Sequence, residues 1–230
     1  MPDMNTNQKK RLIIIGAGLS GLYLASLLQN HYEITILEAS ERIGGRVLTT
    51  NGHDLGPSWV WPHHKDVIAL IQENGLELFE QYVKGDALYE TPSQCQRFTP
   101  PPAMPSMRIK GGIIALVNAI HQKLDNVSII YNAPVKNITQ TSDHLDVRTS
   151  EGEYQADKIV VTAAPRIAAK IVYSPPLSQQ TLQTLQTTHT WMGNSRKVVI
   201  TYEKPFWRDM GYSGFVFSAM GGGSECHDAC

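Results

Sequence analysis

The most constraining feature of this 230-residue sequence is a glycine-rich loop between an apolar run and an amphipathic segment near its start. Residues 12–15 form a continuous apolar run, which is typical of a strand buried on both faces of a parallel sheet. Residues 19–28 have the apolar spacing of a helix with one buried face, and residues 33–37 are a second apolar strand. This order predicts an α/β fold built on a doubly wound parallel sheet.

The loop itself, Gly16-Ala-Gly18-Leu-Ser-Gly21, fits the pattern G-x-G-x-x-G. Gly16 allows a tight turn, Gly18 lets the backbone approach a pyrophosphate, and Gly21 lets the helix pack against the strand. Leu19 and Ser20 begin the helix, where free N–H groups and a partial positive charge face an anion. The pattern after a strand and before a helix predicts a Rossmann-type dinucleotide site, although a glycine turn that binds nothing remains the alternative.

The residues after the second strand extend this prediction. Glu38 lies twenty residues beyond Gly18, where a carboxylate can bind both hydroxyls of an adenosine ribose and would repel the 2′-phosphate of NADP. In the stretch from Glu38 to Arg46, Gly45 allows a second close backbone approach, and Arg46 offers a guanidinium to the pyrophosphate. Arg42 is predicted to be a solvated surface charge.

Composition excludes several classes of protein. The 20 Lys and Arg residues balance 21 Asp and Glu residues, for a net charge of −1, so nucleic acid is not expected as the main partner. No apolar stretch reaches the ~20 residues of a membrane span. Three cysteines are an odd and sparse set that suits a reducing, cytoplasmic location. We expect the polar first eleven residues to be a disordered lead-in.

Periodicity predicts further elements along the chain. The predicted helices cover residues 65–81 (interrupted at Asn74-Gly75), 113–124 and, weakly, 178–187. The predicted strands cover residues 127–131, 135–141, 144–149, 154–162 and 196–202, and the alternation at Leu145-Asp-Val147 and its neighbours favours an antiparallel β-meander. The proline-rich residues 91–105 are predicted to be an extended connector, and the last ten residues show no closing element.

These motifs resemble the opening of the FAD-dependent amine oxidases, the monoamine and polyamine oxidase group. Asp54-Leu-Gly-Pro-Ser-Trp-Val60 is similar to the next family segment, which implies that its central residues contact the flavin: Gly56, Pro57, Ser58 and Trp59. Ala133-Pro-Val-Lys136 resembles the strand whose backbone holds the adenine, which implies a contact from Val135. Residues 107–112 and 157–165 resemble further parts of the FAD domain, so the resemblance covers nearly all of residues 10–214.

The same resemblance points to one catalytic residue. Lys197 matches a family lysine that holds a water against flavin N5, where a fixed cation stabilises charge during reoxidation. The alternative is a surface lysine beside an inward Arg196. Trp59, Trp61 and Trp191 could form pocket walls, but core packing is the preferred interpretation. No metal site is expected from Asp54, His63 and His64, or from the stretch Cys226-His-Asp-Ala-Cys230, which lacks a second ligand pair.

The resemblance implies a domain order: a first FAD-binding segment (1–80), a reduced insertion or connector (81–106), a second FAD-binding segment (107–173), and a partial, smaller α+β substrate domain (174–230). Only thirty-four residues separate Leu76 from Gly111, where the family has a longer insertion. The chain also ends before the family's later portion, so we expect a C-terminally truncated chain. No cysteine matches the one that some members attach to the flavin, so non-covalent FAD is expected.

The implied reaction is oxidation of a small-molecule amine to an imine and then an aldehyde, with oxygen reduced to hydrogen peroxide. Two alternatives remain open. The first is a truncated fragment that binds a dinucleotide without catalysis, and the second is a flavoenzyme like the desaturases or protoporphyrinogen oxidases.

Overall fold

The structure is a computed structural model that describes residues 9–102, 104–220 and 222–229. The strands, in chain order, are β1 (Lys10–Ile15), β2 (Tyr32–Leu37), β3 (Thr49–Thr50), β4 (His53–Asp54), β5 (Leu78–Glu80), β6 (Asp86–Glu90), β7 (Cys95–Phe98), β8 (Met107–Ile109), β9 (Val127–Ile130), β10 (Asn137–Gln140), β11 (Leu145–Arg148), β12 (Glu153–Ala156), β13 (Lys158–Val161), β14 (Val172–Ser174), β15 (Tyr212–Ser218) and β16 (Glu225–Cys226). The helices are α1 (Leu19–Leu28), α2 (Lys65–Glu73), α3 (Ile114–His121), α4 (Pro165–Ala168), α5 (Gln179–Thr187) and α6 (Phe206–Asp209).

The described residues form two compact units. The first unit takes in the residues up to Leu48 and then Leu116–Arg196, and the second takes in Thr49–Ala115 and those from Lys197 onward. These units do not coincide with the predicted segments, since the first FAD-binding segment was expected to continue to residue 80.

The first unit is built on a parallel sheet with the order β13-β1-β2-β9. Residues 12–15 of its central strand β1 are all buried, because neighbouring strands flank it on both sides and both of its faces are covered. Helix α1 buries Gly21, Leu22 and Ala25. The predicted Rossmann-type β-α-β unit is therefore confirmed, and β1 begins earlier than expected, at Lys10.

A second sheet in this unit, ordered β12-β11-β10-β14, contains the predicted meander. Ile138 faces Val147 in the register of the antiparallel strands, and both side chains are buried. They pack with Ile13, Ile15 and Leu37 of the parallel sheet in one core cluster. The meander therefore closes the core of the first unit on the parallel sheet.

The predicted single strand over residues 154–162 is wrong, because Asp157 divides it. The Asp157 carboxylate accepts a hydrogen bond from the backbone N–H of Arg11 at 2.7 Å and pairs with its guanidinium at 3.2 Å. Strand β12 before Asp157 lies in the meander, whereas β13 after it joins the parallel sheet. The two halves of the predicted strand thus belong to two different sheets.

The second unit has a four-stranded sheet with the order β16-β15-β6-β7 and two small two-stranded sheets. Strand β15 pairs in parallel with β6 across more than one hundred residues of sequence. Strand β7 lies inside residues 91–105, which were predicted to be a connector, and it pairs with β6. Strand β16 lies in the last ten residues, which were expected to hold no closing element. Those two predictions are therefore wrong.

Two further predictions in this region are wrong. Helix α2 ends at Glu73 instead of residue 81, because Asn74 caps it and Gly75 adopts a positive φ of 66°. Strand β5 follows and pairs with β8. Residues 195–202 form no strand, and Val198, Ile200 and Tyr202 are exposed. The described residues do not include residues 1–8, Ala103, Gly221 and Cys230. Most of the predicted lead-in, residues 1–11, therefore lies outside them. Among the described helices, none is long and apolar enough to cross a membrane.

Candidate functional site

The predicted phosphate loop, residues 16–21, connects β1 to α1 as the sequence indicates. Gly16 has a φ of 107°, a conformation that side chains disfavour. A β carbon on Gly21 would lie 2.0 Å from the carbonyl oxygen of Gly16, so only glycine allows the helix to pack this closely. The Thr162 hydroxyl lies 2.9 Å from the Ile15 carbonyl oxygen and 3.1 Å from that of Gly16, which ties the end of β13 to the loop.

A glycine turn, Gly44 and Gly45, lies against this loop. The Gly44 N–H donates to the carbonyl oxygen of Ala17 at 2.8 Å, and Gly18 and Gly44 form a parallel β-bridge. A β carbon on Gly45 would lie 3.3 Å from the Gly18 Cα atom. The two glycine segments therefore present adjoining backbone, as expected for two contacts on one pyrophosphate.

Arg42 holds the glycine turn in place. Its guanidinium donates to the carbonyl oxygens of Ile43 at 3.0 Å, Val47 at 3.1 Å and Gly45 at 2.8 Å. Arg42 is exposed, as predicted for a surface charge, but its planar fork also reaches several acceptors of one turn at once. Arg46 is exposed, and no hydrogen bond or ion pair involves it in the described part of the chain.

Glu38 lies where the ribose carboxylate is predicted. It is buried, and its Oε2 accepts from the Ala17 N–H at 2.7 Å. Its Oε1 accepts from the Ser40 N–H at 2.9 Å and lies 2.7 Å from the Ser40 hydroxyl. That hydroxyl also lies 2.9 Å from the Arg42 carbonyl oxygen and has one hydrogen, so it donates to one acceptor at a time. With the hydroxyl turned to Arg42, Glu38 regains a lone pair for a ribose hydroxyl.

The start of α1 completes a dinucleotide half-site in the first unit. Gly18 is the N-cap residue, has no side-chain cap, and is followed by no acidic residue in the first turn that includes Leu19 and Ser20. The first turn of this helix thus carries no negative side chain of its own. Val135 packs its side chain against the core cluster, and its N–H and C=O make no backbone hydrogen bond to any described residue. These residues fit the adenosine diphosphate part of a dinucleotide.

The second unit brings Lys197 together with the segment predicted to pass along the flavin. The Lys197 amine donates to the carbonyl oxygen of Gly56 at 2.9 Å and to the hydroxyl of Ser58. It lies over the Trp59 ring, 5.6 Å from the centroid. Residues about 140 positions apart in the sequence are therefore joined at one site, the lysine site. Pro57 is exposed beside them.

Burial lowers the pKa of Lys197, and the Arg108 guanidinium lowers it further, whereas the Asp54 carboxylate opposes the shift. Arg196 and Lys197 are both exposed, so the structure supports the surface lysine of the alternative but not its inward Arg196. The amine is the polar end of an otherwise exposed side chain, held by acceptors of the 56–58 segment.

Asp54 supports this segment, a role that the sequence did not reveal. Its Oδ1 accepts from the Thr49 hydroxyl at 2.5 Å and from the Ile113 N–H, just before α3, at 3.0 Å. Its Oδ2 faces the buried Arg108 guanidinium at 3.8 Å and has no hydrogen-bond partner among the described residues. The sequence shows Asp54 two residues before Gly56, but nothing in it identifies the distant partners of the Asp54 carboxylate.

The other candidates do not converge. His63 and His64 contact each other, with ring centroids 4.5 Å apart, and Trp61 stacks on His63, while Asp54 is engaged as described. Trp191 is 78% exposed. Within the described residues, no group of three or more His, Cys, Asp or Glu side chains is arranged to hold a metal ion, and Cys230 lies outside them.

The chain matches two family models and is similar to several known proteins. The family model for flavin-containing amine oxidoreductases matches residues 96–227, and that for an NAD(P)-binding Rossmann-like domain matches residues 14–73. An L-amino acid dehydrogenase of Synechocystis sp. is 35% identical over 106 residues, which are 46% of this chain and 22% of that protein. A putrescine oxidase of Kocuria rosea is 21% identical over 343 residues, covering 96% of this chain and 70% of that protein. The solved structure of a putrescine oxidase double mutant has a TM-score of 0.79 at 21% identity, over 97% of this chain and 73% of that one.

The chain is shorter than these relatives, and its match spans less than a quarter of the Synechocystis protein. The alignment with putrescine oxidase extends over 343 residues, at least 113 more than this chain contains, so it includes many positions without a counterpart here. The cofactor of the family is FAD, and its members are amine oxidases. Because the family's model matches more than half of its residues, the chain belongs to the flavin-containing amine oxidoreductases.

Proposed function

We propose that this chain binds FAD without a covalent bond and oxidises a primary or secondary amine, with oxygen reduced to hydrogen peroxide. The observation that carries the proposal is the lysine site, where the Lys197 amine is held by Gly56 and Ser58 over Trp59. The residues whose roles are carried over from the family resemblance lie together at this site, within one unit of the fold.

The first unit would bind the nucleotide part of FAD. The pyrophosphate would contact the phosphate loop, the adjoining glycine turn and Arg46, the ribose would bind Glu38, and the adenine would lie against the backbone of Val135. Free Cys95 and Cys226 are exposed and lie outside both candidate sites, which supports a non-covalent cofactor.

The second unit would supply the residues of the reaction. When bound, a flavin accepts a hydride from the carbon next to the amine nitrogen and is reoxidised by oxygen. Lys197 would fix a water and stabilise the negative charge that develops during reoxidation, and Gly56 and Ser58 would orient its amine. Trp59 would exclude water from one side of that amine.

A second candidate is a fragment that binds a dinucleotide without turnover. It is favoured by the short match to the Synechocystis relative, which leaves most of that protein without a counterpart. A cytoplasmic location is likewise our proposal, supported by two cysteines that are free rather than disulfide-bonded.

The first experiment is an absorption spectrum of the purified, desalted chain with and without added FAD. Retained bands near ~370 and ~450 nm, where oxidised flavins absorb, together with peroxide released from a panel of amines, would support oxidation. A chain that retains FAD but oxidises no amine, in air or with an artificial electron acceptor, would favour the second candidate. A colourless chain that takes up no FAD would contradict both.

The variant Lys197→Met separates binding from chemistry. We expect it to retain FAD and to lose at least about 100-fold in turnover with oxygen, since it removes a preorganised charge from the site. Lys204→Met is a matched control, because Lys204 is an exposed lysine of the same unit without a recorded hydrogen bond among the described residues.

A further inference from the structure

An aromatic cluster surrounds the ring that Lys197 covers. Trp59 meets His227 edge to face, with ring centroids 4.6 Å apart, and His227 stacks on Phe215 at 4.7 Å. Phe217 packs against Phe215 at 4.5 Å. The Lys197 amine and the His227 imidazole thus lie on the same indole, within about 10 Å, the screening length of 0.1 M salt.

His227 is oriented by a carboxylate two residues before it. Its Nε2 lies 2.8 Å from Oε1 of Glu225, and a carboxylate only accepts, so Nε2 carries the hydrogen. In the neutral ring, Nδ1 then holds a lone pair, and no described residue donates to it. An imidazole held in one tautomer by a carboxylate is the arrangement of a general base.

Burial and two charged neighbours act on this imidazole. Burial lowers the pKa of His227, Glu225 opposes the shift through its hydrogen bond and charge, and Lys197 lowers the pKa further. The groups packed against the ring from other segments are the uncharged Trp59 and Phe215. A neutral imidazole with a lone pair on Nδ1 can accept a proton from an ammonium ion and leave a neutral amine.

We propose that His227, oriented by Glu225, is the base that deprotonates the ammonium form of the substrate before its oxidation. The inference rests on the proposed function, because it assigns a step of the same reaction. The N–H bond of the substrate ammonium breaks, its proton bonds to Nδ1 of His227, and the electron pair stays on the substrate nitrogen. The imidazolium later returns the proton to water, so no oxidant or reductant takes part in this step.

The test compares wild type with His227→Asn, which keeps a polar hydrogen-bonding side chain but cannot bind the proton. In wild type, kcat/KM for an amine should be constant between the pKa of His227 and that of the substrate. In His227→Asn only the neutral fraction of the amine reacts, so kcat/KM should rise about tenfold per pH unit over that range and be about 100-fold lower near pH 7.5. Added imidazole should restore part of the activity.

His144→Asn is the matched control. The Nε2 of His144 lies 3.1 Å from a carboxylate oxygen of Asp146, also two residues away, but this pair belongs to the meander of the first unit. It should retain the wild-type plateau. If His227→Asn also retains the plateau, the proposed role is overturned.

NMR titration of the imidazole in the FAD-free chain gives an independent readout. The pKa of His227 should lie below 6.5, rise in Lys197→Met and fall further in Glu225→Gln. If the pKa of His227 is not shifted and changes in neither variant, the inference is overturned, whatever the chain oxidises. If the NMR shifts appear but wild type oxidises no amine, the proposed function has failed, and the catalytic role of His227 fails with it.

Discussion

At the scale of single residues, a glycine of the phosphate loop and a glycine of the meander differ in the space around them. A β carbon on Gly21 would meet the Gly16 carbonyl oxygen at 2.0 Å, whereas one on Gly152 would have its nearest neighbour at 3.8 Å, without a positive φ. The backbone oxygen cannot move aside without shifting β1. The same methyl group is therefore harmful at one position and tolerated at the other.

We predict that Gly21→Ala lowers the free energy of unfolding by about 3 kcal/mol, through overpacking between α1 and β1. Gly152→Ala should change it by less than about 1 kcal/mol. Urea denaturation of both variants checks this. Equal midpoints for the two variants would show that α1 does not pack on the loop as described.

Arg42 and Arg46 differ in their hydrogen-bond partners. Arg42 binds three backbone carbonyls, and Arg46 is exposed without a recorded partner in the described chain. We predict that Arg42→Lys weakens FAD binding about tenfold, about 1.4 kcal/mol, because an ammonium cannot replace the fork. Arg46→Lys should retain most of the affinity for FAD, and Arg46→Ala should reduce the dependence of FAD binding on salt concentration.

Titration of FAD at several salt concentrations measures both effects. If Arg42→Lys bound FAD as wild type does while Arg46→Lys did not, the two residues would have exchanged the roles proposed here.

At the scale of elements, Asp54 connects β4 with the residue before α3. Its side chain is buried opposite Arg108, so removal of the carboxylate leaves a buried guanidinium without its counter-charge. We predict that Asp54→Ala costs about 3 kcal/mol of unfolding free energy, and that adding Arg108→Met recovers part of it. Thermal unfolding of the two variants gives the measurement.

The exposed pair Lys110 and Glu77, at 3.0 Å, is the control for Asp54. Glu77→Gln should cost less than about 1 kcal/mol, because solvent screens that pair. A loss as large as that of Asp54→Ala would mean that burial does not decide the difference.

Local patterns predicted some elements and not others. The β1-α1-β2 unit and the meander could be predicted, because their partners are near in sequence and their periodicity is strong. Strand β15 could not, since it is defined by pairing with β6 more than one hundred residues away. At residues 196–202 a strand was predicted that does not form. Val198, Ile200 and Tyr202 alternate as in a strand, but the segment pairs with no other strand among the described residues.

At the scale of the whole molecule, each unit contains a carboxylate that is more acidic than usual. The Thr99 hydroxyl and then Arg97 lower the pKa of Asp86 in the second unit, and the Arg11 backbone N–H and guanidinium lower that of Asp157 in the first. A lowered carboxylate pKa contributes stability that is present above the unfolded value of 3.8 and is lost as the pH falls through the folded value.

His227 adds a step at higher pH. Its folded pKa lies below the unfolded value of 6.5, so the unfolded chain binds the proton first and stability falls as the pH drops below 6.5. We predict that the melting temperature decreases from pH 7 to pH 5.5 and again below pH 4. His227→Asn should flatten the first decrease and Asp157→Asn the second, as measured by scanning calorimetry. Curves parallel to wild type would contradict the assignment.

The Rossmann-type unit and the phosphate loop could be predicted from the sequence, because each depends on residue types at short spacing. The spacing also indicated Glu38 as a ribose carboxylate, whereas Lys197 was indicated only by the resemblance to a known family. Tertiary structure decided the rest. It placed Lys197 on Gly56 and Ser58, gave Arg42 the carbonyls of its own turn, buried Asp54 against Arg108 and set His227 on Trp59. Most of these contacts join residues far apart in the chain, where local propensity holds no information and only the packing of the folded chain selects the partner.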